Sequence, residues 1–274
     1  MKYGDTPLFL EIDNITSQYR FLANARANAA FPNSGFNLFE FGSSAEIAEN
    51  PIISYSPLQG QKFIRQFLAK IPLESIYLLY KSGWSIERIL RLCFEQMGPL
   101  DNAPNASGPT PKQAPIFEEF LLASRLFREL QNKNLLKIFL EKDKGQPTLV
   151  LKLLPKAKSG LQTKMLNKLF NTPPQNLNFY FGFNENNSEN SKLHIETRSL
   201  LGIMYYLSNT VEPTKEALKN GYVTQTFDAY KQPFSWDDVT ENLLKVHSNS
   251  TKPDKASVKV FYERDVHRVW QRAL

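Results

Sequence analysis

Residues 136–154 read LKIFLEKDKGQPTLVLKLL. Two runs rich in Leu, Ile, Val and Phe flank Lys144-Gly145-Gln146-Pro147. Short β-prone runs on either side of a Gly/Pro turn form a hairpin, so strands are predicted over 136–142 and 148–154. A hairpin at this place requires a sheet that is at least partly antiparallel.

Outward from that hairpin the pattern alternates between two periods. Upstream, Ile86, Ile89, Leu90, Cys93, Phe94 and Met97 recur at helical spacing, which predicts a helix from Ser85 as N-cap to the Gly98-Pro99 stop. Helices are also predicted over 58–70, from Leu73 to Gly83, and over 116–133. In the last of these Phe117, Phe120, Leu121, Phe127 and Leu130 form the buried side. Nearer the N-terminus 7–12 alternates as a strand. Residues 14–37 are rich in Ala and Asn and fit no period. Strands are predicted over 37–41, ended by Gly42-Ser43-Ser44, and over 52–55.

Downstream, 159–170 reads as a helix. Strands are expected over 178–183 and 192–198 around a polar turn, and over 222–227 and 257–262. Leu200, Ile203, Met204, Leu207 and Val211 form another helical stripe. The fold class is therefore α+β, with a mainly antiparallel sheet and helices packed on one face. Residues 1–262 are expected to form one domain. Residues 98–115, rich in Pro, Ala, Gly and Asn, are a linker between two lobes or an ordered Ω-type loop, and the ordered loop is the reading adopted.

The chain of 274 residues holds 42% hydrophobic and 12% aromatic residues, enough for a substantial core. No apolar run reaches the ~18 residues of a transmembrane helix, and Met1-Lys2 is not followed by the apolar core of a signal peptide. The one cysteine, Cys93, cannot form an intramolecular disulfide and reads as a buried small hydrophobe.

Net charge is +6, and 144–168 contains six lysines with no acidic residue between Asp143 and Glu185. Lys152, Lys156, Lys158, Lys164 and Lys168 are the candidate patch for an anionic membrane surface. Nucleic acid is disfavoured as a partner because the stretch lacks arginine, the residue suited to bidentate contacts.

Phosphate-loop, dinucleotide and Gly-x-Ser-x-Gly patterns are absent. The histidines, His194, His247 and His267, have no ligand spacing, so neither metal nor cofactor is expected. Glu118-Glu119 and Asp237-Asp238 sit at helix starts, where negative charge favours the dipole. No catalytic residue is assigned, and a non-enzymatic role is expected. Trp84, Asp101, Asn102 and Arg198 are the candidate binding residues, being polar or aromatic positions within the motifs below that packing does not demand.

Tyr3-Gly4-Asp5-Thr6-Pro7 with Phe9-Leu10-Glu11, Pro57-Leu58-Gln59-Gly60, Ser82-Gly83-Trp84-Ser85-Ile86-Glu87-Arg88, Leu100-Asp101-Asn102-Ala103, Ala106-Ser107-Gly108-Pro109-Thr110-Pro111 and Thr197-Arg198-Ser199-Leu200-Leu201-Gly202 occur in order. In these motifs, spread from Tyr3 to Tyr262, the chain resembles uncharacterised proteobacterial lipoproteins. The resemblance implies tethering in the cell envelope, with envelope proteins or an anionic membrane surface as partners; the chain as written, without a signal peptide, would stay in the cytoplasm. It implies no catalytic residues. It also implies a lipoprotein signal and a lipidated cysteine before Tyr3, and a further strand after Tyr262. By that comparison the chain reads as truncated at both ends, with 263–274 an unrelated tail.

Overall fold

The computed structural model describes residues 10–27, 41–57, 60–143, 145–183, 192–241, 243–248, 258–262 and 267–271. The chain divides into two compact units, Pro7–Phe63 and Ile64–Leu274, apart from a few N-terminal residues. The division falls at Phe63–Ile64, and the 98–115 loop lies inside the larger unit.

In the smaller unit β1 (Leu10–Ala27) and β2 (Phe41–Pro57) form an antiparallel ribbon paired from Leu10↔Pro57 to Ala27↔Phe41. The unassigned 14–37 region thus supplies most of a strand. Gly42-Ser43-Ser44 lies within β2 instead of ending a strand, and the expected strand at 37–41 falls almost wholly outside the described residues.

A bulge between Ile12 and Asn14 adds Asp13 to β1 without a partner. That extra residue changes which numbers share a face. Leu10 and Ile12 lie on the same face as Ile15, Tyr19, Phe21 and Ala23, and opposite them run Tyr55, Ile53, Ile47 and Ala45. Only Ser17, Ser43 and Glu49 interrupt this face with polar residues. The other face carries Asn14, Thr16, Gln18, Arg20, Asn24 and Arg26 against Ser54, Asn50, Glu46 and Ser44.

The larger unit begins in α1 (Gln61–Leu68), followed by α2 (Leu73–Lys81) and α3 (Ile86–Cys93). Pro72 breaks the first from the second, since it lacks an N–H for a continuing helix. Of the apolar stripe on α1 only Phe67 is buried; Ile64 and Leu68 are each 53% exposed.

β3 (Phe94–Met97) follows α3 without a loop, and β4 (Leu100–Asp101) follows β3. The apolar stripe predicted as one helix to Met97 is therefore a helix and a strand. Spacing could not separate the two. A bulge between Phe94 and Gln96 puts Phe94 and Met97 on one face of β3, both 1% exposed or less, and that three-residue step is the helical step too. Gly98, at φ 55°, makes the turn to β4 together with Pro99, and a Cβ there would come within 3.1 Å of Leu193.

α4 (Glu118–Asn132), β5 (Leu136–Asp143), β6 (Gln146–Leu153), α5 (Leu161–Leu169), β7 (Asn178–Gly182) and β8 (Leu193–Thr197) come next. The six strands order as β4-β3-β8-β7-β6-β5, and β5 and β6 form the predicted hairpin. Every pairing is antiparallel except β7–β8. The stretch between those two strands is a crossover and not the expected hairpin turn, because β8 finds its antiparallel partner in β3. The protein is α+β.

Alternation divides the sheet. Leu149, Leu151, Leu153, Phe179, Phe181 and Ile195 are buried in one core with Phe120, Phe127 and Leu130 of α4 and Leu166 of α5. Phe170, just after α5, stands 6.1, 5.4 and 5.6 Å from the rings of Phe127, Phe179 and Phe181. Lys137, Phe139 and Lys152 on the other face are exposed.

α6 (Leu200–Ser208), α7 (Lys215–Lys219) and α8 (Asp237–Thr240) follow, capped in the first two by Ser199 and Thr214. The strand expected at 222–227 is absent; Phe227 makes only isolated bridges to Gln113 and Pro233. The last sheet has the order β10-β11-β9 from β9 (Val246–Ser248), β10 (Val258–Tyr262) and β11 (His267–Gln271). The tail after 262 thus contributes the central strand of that sheet. No helix among the described residues is long and apolar enough to cross a membrane.

Cys93 is 3% exposed, and burial pushes its thiol up to about 12 against the nearby Arg198 charge. The native thiol is expected to resist alkylation at pH 8 and to react only on unfolding, measured as label incorporated per chain with and without urea. Between its ordinary value of 9.0 and about 12 the folded chain holds a proton that the unfolded chain releases. Stability is therefore expected to fall as pH rises through that window.

Candidate functional site

Two polar arrangements meet at opposite ends of α3. At its C-terminal end the last carbonyls of the helix have no partners within it. Arg198, directly after β8, fills that need. Its Nη1 donates to the carbonyls of Arg91 (3.0 Å), Leu92 (3.4 Å) and Phe94, and its Nη2 to those of Asn102 and Ala103 (3.5 Å). Nε donates to Ser107 Oγ at 3.0 Å, and the Tyr206 ring centroid lies 4.1 Å from Cζ. Asn102 Nδ2 donates to the carbonyls of Arg91 (2.8 Å) and Phe94 (2.7 Å).

Arg198 is wholly buried and Asn102 is 3% exposed. Burial lowers the pKa of the guanidinium, while Tyr206, Glu95 and Cys93 favour its charge. Burial likewise raises the pKa of the Tyr206 hydroxyl, with Arg198 opposing. The negative end of the α3 dipole faces this cation. Arg198 and Asn102 therefore brace the 98–115 loop against α3 and offer no open binding surface. Asp101 is half-buried in β4, paired with Gln96.

Trp84 is at the other end of α3 and does not join them. Gly83, at φ 88°, turns the chain out of α2 and leaves Trp84 49% exposed. Gln131 of α4 fixes the entry to α3: its Oε1 accepts from Ile86 N–H at 3.0 Å and from Arg128 Nη1 at 2.7 Å. Ser85 occupies the N-cap position with no side-chain bond, so Gln131 does the capping predicted of it.

Beside this junction opens a cleft of about 760 Å³, lined by Trp84, Arg88, Arg91, Arg128, Glu87 and Glu241 among others. Three guanidinium groups thus face two carboxylates. Arg91 Nη1 meets Glu87 Oε1 at 3.0 Å and Glu241 Oε2 at 3.6 Å, and Nη2 donates to Val239 O at 3.2 Å. Its Nε is buried and has no partner. Glu241 also pairs with Arg125. Arg88 is exposed at the rim. The cleft can hold an anion between forked donors, with an indole alongside for a flat group.

A second cleft, about 350 Å³, is lined by Asn209, Thr226, Trp236 and the His247–Glu212 pair, whose Nδ1 and Oε2 are 2.8 Å apart. Its histidine already has a carboxylate partner. No group of three or more potential metal ligands occurs among the described residues.

The five lysines do not share one surface. Lys152 lies on the sheet face opposite the helices, Lys164 and Lys168 on the exposed side of α5, and Lys156 and Lys158 in the turn between. The sequence reading missed Arg91, Arg128 and Glu241. Arg88 and Arg91 stand one turn apart on α3, which periodicity shows. Nothing local brings Arg128 of α4 or Glu241 beside them.

Compared with protein-family models, curated proteins and solved structures, the chain matches none.

Proposed function

We propose that this chain is a non-enzymatic binding protein of the cell envelope that holds an anionic, phosphate-like group in the cleft beside Trp84. The envelope location rests on the motifs resembling proteobacterial lipoproteins. The binding role rests on one observation, the excess of guanidinium over carboxylate groups in that cleft with Arg91 Nε left unpartnered. Arginine suits such a site because its planar fork meets two oxygens of one anion. An exposed cationic rim also makes binding sensitive to salt.

Calorimetric titration with pyrophosphate tests the reading. Arg88→Glu and Arg128→Glu should each weaken binding by about tenfold or more, since each replaces an attraction by a repulsion of similar size. Thermal stability should change little for the exposed Arg88. A wild-type chain that takes no pyrophosphate, or variants that bind it equally well, would overturn the assignment. Fractionation of cells making the full gene product tests the location, which requires recovery with membranes.

A further inference from the structure

The ribbon of β1 and β2 has features that a soluble hairpin does not need. Its strands of 18 and 17 residues pair along their whole length, and among the described residues each keeps one long edge without a strand partner. A lone two-stranded ribbon is marginal in water. One of its faces is apolar from Leu10 to Phe41, and the other is polar. The bulge at Asp13 is what keeps Leu10 and Ile12 on the apolar side. Without it those residues would fall on the polar side, so bulge and sequence agree on one division of faces.

The dimensions match a bilayer. A tilted strand crosses the hydrocarbon layer with ~9–11 residues, and both strands exceed that. Period-two alternation of apolar and polar residues, with aromatic residues near both ends of the apolar face (Tyr55 and Phe41), is the pattern of a lipid-facing barrel strand. Glu49 is the one ionisable residue on that face, opposite Tyr19.

We infer that the ribbon inserts into a lipid bilayer as one copy's share of a β-barrel completed by further copies of this chain. A second copy is the partner because a bilayer tolerates no unpaired strand edge. A ribbon with one free β1 edge and one free β2 edge closes head to tail, β1 of each copy against β2 of the next. The smallest such barrels have about eight strands, so about four copies or more are required. The apolar face meets lipid. The other face, with Gln18, Arg20, Asn24, Glu46 and Asn50, lines a polar passage. This inference is independent of the arginine cleft.

The test uses the full chain with vesicles of phosphatidylethanolamine and phosphatidylglycerol that enclose a self-quenching dye. Dye release is expected, together with rings of about four or more copies by native mass spectrometry in detergent. Phe21→Asp with Ile47→Asp, on the apolar face, should reduce release at least about tenfold, because charge there must enter hydrocarbon. Gln18→Asp with Asn50→Asp, on the polar face, should preserve release and shift the passage toward cations. Protection of Cys93 from alkylation verifies that each variant is folded. Sealed vesicles with the wild-type chain, a monomer only, rings without release, or equal loss from both pairs of substitutions would each overturn the inference. Pyrophosphate binding is a separate readout, so failure of the cleft and failure of the barrel are distinguishable.

Discussion

Arg198→Met is expected to destabilise the larger unit by about 3–5 kcal/mol in urea unfolding, close to the loss seen when a buried charge network is broken. The methionine fills similar space but donates nothing. The carbonyls of Leu92, Asn102 and Ala103 would lose the donors they have in Arg198. Each buried carbonyl left bare costs ~1–3 kcal/mol. Asn102 continues to serve Arg91 and Phe94, which sets a ceiling on the loss. Ser107→Ala removes only the acceptor of Nε and should cost about 1 kcal/mol. A loss below ~1 kcal/mol for Arg198→Met would mean that desolvating the guanidinium costs nearly all that its bonds return.

Phe170→Ala is expected to cost about 3–5 kcal/mol, the range for a large aromatic removed from a packed core. Phe170 is 2% exposed and touches rings from α4 and β7, so its loss opens a cavity where helix layer and sheet meet. The midpoint of urea unfolding should fall with little change in slope, since the surface exposed on unfolding is nearly the same. Leu161→Ala on the same helix is the control. Leu161 is 68% exposed, and its truncation should stay within about 0.5 kcal/mol.

Much of the larger unit was legible before the structure was known. The helices from Leu73 and over 116–133, the 136–154 hairpin and the core positions Phe120, Phe127 and Leu130 follow from period and punctuation, which are local properties. The ribbon was harder. Residues 14–37 show no clean alternation when read straight through, because the bulge at Asp13 shifts the register by one residue. The candidate site was legible only in part. Trp84 was found and lines the cleft, but Asn102 and Arg198 belong to the buried brace at the far end of α3. A polar residue within an apolar context reads the same in sequence whether it faces solvent or caps a helix from within.

By itself, then, the sequence determined which segments are apolar on one side, where Gly and Pro stop them, and that strands and helices build an α+β fold. Tertiary structure alone decided where α3 ends, why β7 and β8 run parallel, and which arginines share a cleft. The physical reason is the same in each case. Apolar periodicity is carried by residues three or four positions apart, whereas the end of α3 is set by carbonyls that take their donors from Asn102 and from Arg198, about a hundred residues downstream.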